Sequence, residues 1–119
     1  MTDLEKEAPN VVTELRFRDL VADGYRVEVV CKEPALKKGP SVYGLWILRA
    51  VSDDGMEKLL VTARTRISTN EIKIREFKTI TGLVSFLQGI GFSHADIPLA
   101  EGQRTSHKLS DGEVAALHR

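Results

Sequence analysis

Apolar and polar residues alternate from Tyr25 onward. Val27, Val29 and Cys31 fall on one side, Arg26, Glu28 and Lys32 on the other, and Val30 alone breaks the order. Strand side chains project alternately to two faces, so this segment predicts a β-strand with one face in the core. Pro34, the Lys37-Lys38-Gly39-Pro40 run and Ser41 then predict a loop. Val42 to Val51 is almost continuously apolar and holds the only tryptophan, Trp46. A short run of this kind, rich in β-branched and aromatic residues, predicts a central strand covered on both faces. Asp53-Asp54-Gly55 interrupts it, and Met56 to Thr65 resumes with Leu59, Leu60 and Val61. The Asp-Gly pair supplies the positive φ of a tight turn, so residues 42–65 predict an antiparallel hairpin.

Val11 to Ala22 fits two periods. On a helix, Val11, Val12, Leu15, Leu20 and Val21 share a broad face, with Asn10 as N-cap and Gly24 as terminator. As a strand, Thr13, Leu15 and Phe17 alternate with Glu14, Arg16 and Arg18, and Asp23-Gly24 becomes a hairpin turn that sets Asp19 opposite Glu28. Like charges directly opposite are unfavourable, so a helix is expected. Further on, Ser68-Thr69-Asn70 marks a turn, after which Ile72 and Ile74 alternate with Glu71, Lys73 and Arg75 as in a strand with one wet face. Ile80, Leu83, Val84 and Leu87 then fall at helical spacing behind Thr79 or Thr81 as cap, with Gly89 and Gly91 placed to end the helix. Ala95 to Leu99 predicts a short strand that Pro98 confines to an edge. Beyond Glu101 the chain is polar, although Ser110 and Glu113 have capping-box spacing ahead of Val114 to Leu117.

The order predicts an α+β domain: an antiparallel sheet of about four to five strands with helices packed on one face. Its expected core is Val27, Val29, Leu45, Ile47, Leu60, Ile72, Ile74, Leu83, Val84 and Leu87. Residues 1–10 read as a disordered leader, 11–100 as a single domain, and 101–119 as a polar tail with a short helix. Because Tyr43, Leu45 and Ile47 alternate with Trp46 and Leu48, both faces of the 42–51 strand are apolar. One layer of helices covers one face of a sheet, so the N-terminal helix or a second subunit is needed for the other, and a homodimer is expected.

Composition adds compartment and class. The 119 residues are 42% hydrophobic and carry 17 basic against 17 acidic side chains, so no whole-molecule field draws the protein to nucleic acid or anionic lipid. One cysteine excludes an internal disulfide and fits a reducing compartment. The acidic start at Asp3, Glu5 and Glu7 resembles no targeting segment, and no apolar stretch nears the ~20 residues of a membrane helix. A soluble cytoplasmic protein without membrane contact is expected.

Candidate chemistry is sparse. Cys31 shares its face with Val27 and Val29, the environment of a buried thiol rather than a nucleophile. His94 and Asp96 are two apart, but zinc asks for three or four ligands, and His107 and His118 add no second pair with ligand spacing. The glycines form no phosphate-binding loop. No metal, no cofactor and no catalysis are expected, and a small enzyme or ligand-binding domain using Cys31, His94 and Asp96 is the remote alternative.

One pattern stands out. Residues 56–78 hold six bases and three acids, whereas residues 1–55 hold eight bases and ten acids. Alternation puts Arg64 with Arg66 and Lys73 with Arg75, so strands paired across Ser68-Thr69-Asn70 would form a cationic ribbon, with Lys37 and Lys38 as further bases. Such a ribbon can grip phosphates, and a small accessory protein of regulatory kind that binds nucleic acid is the functional expectation. Bases also belong on the wet face of any amphipathic sheet, which leaves a protein-interaction or dimeric structural module as the alternative.

Overall fold

A computed structural model describes residues 10–65 and 70–118. In chain order it contains β1 (Val11–Val12), α1 (Glu14–Ala22), β2 (Arg26–Lys38), β3 (Ser41–Val51), β4 (Glu57–Thr65), β5 (Asn70–Ile74), β6 (Phe77–Thr79), α2 (Ile80–Ile90), β7 (Arg104–His107) and α3 (Asp111–Leu117). The class is α+β as expected, but the sheet is not a plain antiparallel one with helices on one face. It has seven strands in the order β1-β4-β3-β2-β7, with β5 on β4 and β6 on β3, and it curls into a half-barrel. One pair is parallel: Val11 and Val12 lie beside Leu59 and Leu60.

The long β2–β3 hairpin is the spine. Val27, Val29 and Cys31 are fully buried, as their alternation predicts, and Val30 is buried from the other side. The expected loop at 34–41 is instead strand, because the turn needs only Gly39 and Pro40. Gly39 has φ +62°, the positive value required of the first central residue in a two-residue hairpin turn. Pro34 is accommodated where the β2–β3 register slips, between Cys31 and Glu33 and again between Glu33 and Leu36. A proline cannot donate to a ladder and is tolerated at such irregularities, which also bend the strand.

β3 shares its second edge between two strands. Arg49, Ala50 and Val51 pair with Leu59, Lys58 and Glu57 across the expected turn, where Gly55 has φ +90°. Nearer its start, Tyr43 and Trp46 pair with Thr79 and Phe77 of β6. Trp46 and Leu48 are fully buried on one face of β3; on the other, Ile47 is nearly buried, Leu45 half-buried and Tyr43 exposed, so the chain covers that second face only in part. Trp46 donates from Nε1 to Pro98 O at 2.8 Å.

The helices bury stripes other than the expected ones. α1 turns Phe17, Leu20 and Val21 inward and leaves Leu15 78% exposed. Thr13, not Asn10, is its N-cap, since Asn10 O already accepts the Leu59 N–H and Val11–Val12 is drawn into the sheet. α2 starts at Thr79, whose hydroxyl accepts from Gly82 N at 3.0 Å. It buries Leu83, Phe86, Leu87 and Ile90, so Phe86 and Ile90 replace Val84 of the expected stripe. Of the remaining expected core residues, Ile72 and Ile74 are exposed and Leu45 is half-buried.

The segment expected as a loose tail closes the sheet. No strand forms at 95–99; instead Leu99 O accepts from Ala35 N, and β7 pairs with Val27 to Val30. The buried His107 accepts the Asp96 N–H on Nε2 at 2.7 Å, and Thr105 Oγ1 donates to Asp96 O at 2.6 Å. α3 begins with the expected capping box of Ser110 and Glu113. The Glu113 carboxylate accepts from the amides of Ser110 and Ser93 and from the Ser93 hydroxyl. These donors, the Ser110 amide foremost, hold its pKa at about 2. An unfolded glutamate titrates near ~4.3, so this stabilisation is complete above that pH and is lost as pH falls toward the folded value. An NMR titration of the Glu113 carboxyl is expected to show a midpoint near 2, and a midpoint in the ordinary glutamate range would refute the arrangement.

Candidate contact surface on the β4–β5 hairpin

Backbone parity shows how the hairpin leaves the body. Leu59 donates its N–H to Asn10 O, whereas Leu60 O accepts from Arg75 N at 3.0 Å. Successive strand amides point to opposite sides, so β5 takes over from β3 along one edge of β4. The last β3 partner of β4 is Arg49, opposite Leu59. Beyond it, Val61 to Thr65 pairs with Ile74 to Asn70 alone among the described residues. The outcome is a two-stranded ribbon; of the expected turn, Ser68 and Thr69 lie outside the described residues, and Asn70 already belongs to β5, opposite Thr65.

The candidate bases have different fates. Lys73 is exposed and opposes Thr62. Arg64 lies on the ribbon opposite Glu71, so an acid interrupts the expected cationic row. Arg66 lies outside the described residues. Lys37 and Lys38 are exposed on the β2–β3 tip, in a different hairpin.

Arg75 leaves the set. β5 ends at Ile74, and the Arg75 guanidinium turns back to Glu14 Oε1 at 3.5 Å. It also stacks over Phe77 and Phe86, with centroid distances of 5.0 and 5.4 Å. Glu14 is shared with Arg18, which itself lies over Phe86 and donates to Gly89 O at 2.7 Å. Arg75 is thus a brace between α1, α2 and the foot of the ribbon. Strand alternation hid this role, because Glu14 and Phe86 come from other elements. The place of Glu71 opposite Arg64 follows from the observed register, in which Asn70 already pairs with Thr65, and not from a turn at Ser68-Thr69-Asn70.

The other candidates remain apart. Cys31 is fully buried and donates to Glu33 O at 3.0 Å; burial pushes its thiol pKa up, the wrong direction for a nucleophile. His94 lies in a shallow depression with Val84, Leu87 and Phe92, while Asp96 engages His107 and Thr105 through its backbone. Among the described residues, no three His, Cys, Asp or Glu side chains converge on a metal-sized site, and no helix is long and apolar enough to cross a membrane. No family model, no curated protein and no solved structure matches the chain.

Proposed function

We propose that the protein is a non-catalytic accessory factor that binds nucleic acid through the β4–β5 ribbon. One observation carries the reading: a two-stranded ribbon separates from β3 after Leu59 and holds the bases Arg64 and Lys73 against the single acid Glu71, with Arg66 following β4 directly in sequence. The major groove of duplex DNA admits a two-stranded ribbon, and bases on it reach phosphates on either side. Lys37 and Lys38 are further exposed bases on the second hairpin tip, and Arg75 holds the ribbon against the body.

Titration of single- and double-stranded oligonucleotides at two salt concentrations tests this. Wild-type binding is expected to weaken with salt, log K falling by roughly 0.9 per phosphate neutralised on duplex for each decade in salt. A variant combining Arg64→Ala, Arg66→Ala and Lys73→Ala is expected to lose binding while keeping its circular dichroism spectrum. Absence of wild-type binding at low salt would end the proposal. The protein-interaction reading then takes its place, favoured by Ile72 and Ile74, which stand 45% and 49% exposed on the same ribbon.

A further inference from the structure

We propose that β5 is a self-recognition strand through which two copies of the chain pair edge to edge, whatever the ribbon binds. Among the described residues β5 pairs with β4 only, and its second edge has no strand beside it. The bond from Arg75 N to Leu60 O sets the parity. Amides at 71, 73 and 75 face β4, so those of Asn70, Ile72 and Ile74 face away from it. An outward row of unpaired amides is a template for another strand, and native proteins usually blunt such an edge. Here the edge carries two exposed isoleucines instead.

The occupant follows from the residues themselves. A two-fold antiparallel pairing of Asn70-Glu71-Ile72-Lys73-Ile74 must centre on one residue of the strand. Centring on Glu71 or Lys73 sets identical charges face to face, which is unfavourable. Centring on Ile72 matches all five residues. It joins Ile72 to Ile72 and Asn70 to Ile74 through the outward amides, and it sets Glu71 opposite Lys73 of the partner subunit on both sides of the axis. Continued through β4, the row reads Thr62, Lys73, Glu71, Arg64 across four strands, with alternating charge after the threonine. The opposite face brings the exposed Ile72 and Ile74 of both copies together and removes apolar surface from water. The free edge of β4 offers no equivalent, since a two-fold centred on Ala63 sets Arg64 against Thr62.

Charge swaps test both the surface and its register. Sedimentation or light scattering of the full chain, up to several hundred micromolar, is expected to show a monomer–dimer equilibrium. Glu71→Lys and Lys73→Glu each set two like charges across the axis and are expected to weaken association at least about tenfold. An equimolar mixture of the two variants restores opposite charges at both positions and is expected to dimerise again. Circular dichroism checks that each variant is folded, and the mixture serves as its own control. A monomeric wild type, a dimer indifferent to either swap, or a mixture that stays monomeric would overturn the pairing.

Discussion

Trp46→Ala is expected to cost about 3–5 kcal/mol, the range for removing a large aromatic side chain from a core. Total stabilities of roughly 5–15 kcal/mol leave little margin after such a loss. Trp46 is fully buried, stands on the strand that β2, β4 and β6 share, and holds the Pro98 carbonyl through Nε1. Truncation therefore opens a cavity and releases the 95–99 segment from the sheet together. Trp46→Phe separates the two effects, since it keeps an aromatic ring and removes the donor. A buried acceptor left unpaired costs roughly 1–3 kcal/mol. Urea unfolding followed by far-UV circular dichroism measures both, because the variants lack the only tryptophan. An alanine variant with near wild-type stability would show that the indole is not a core element.

Gly44→Ala is expected to cost about 1–3 kcal/mol, because a methyl group has no room there. A Cβ at Gly44 would stand 2.7 Å from Cη2 of Trp46 and 3.0 Å from Cζ3. The indole cannot swing aside without breaking its bond to Pro98 O. In a Trp46→Phe background the outer ring is gone, and the methyl group fills part of the vacated space. The double variant is therefore expected to be more stable than the sum of the two single losses, a coupling of at least about 0.5 kcal/mol. Strict additivity in the double-mutant cycle would remove the steric explanation for glycine at this position.

Both expectations depend on a contact between β3 and the 95–99 segment that chain order does not announce. Alternation and continuous apolarity marked Trp46 as central, but nothing near it in sequence identified Pro98 as its acceptor. The same division runs through the proposed binding surface. The charge excess of residues 56–78 and the placing of Arg64 and Lys73 on the two strands of one hairpin follow from local pattern. The removal of Arg75 from that surface does not. Its partner Glu14 lies 61 positions away on α1, and its stacking ring Phe86 lies on α2.

By itself the sequence determined what neighbouring residues decide. The Gly55 turn, a threonine cap for α2 (Thr79 or Thr81 on the pattern, Thr79 in the structure) and the Ser110–Glu113 box each need only a few adjacent residues to set backbone dihedrals or fill end-group hydrogen bonds. The buried set Val27, Val29 and Cys31 followed in the same way, because a period of two shows which residues share a face. Periodicity does not say which face acquires a cover. Ile72 and Ile74 alternate as regularly as Val27 and Val29, yet β5 follows β4 away from β3 and leaves them in solvent. Arg104 to His107 looks polar and loose, yet it pairs along an open edge of β2. Burial, strand neighbours and the role of Arg75 were decided by the tertiary structure, since each depends on where a distant part of the chain comes to rest.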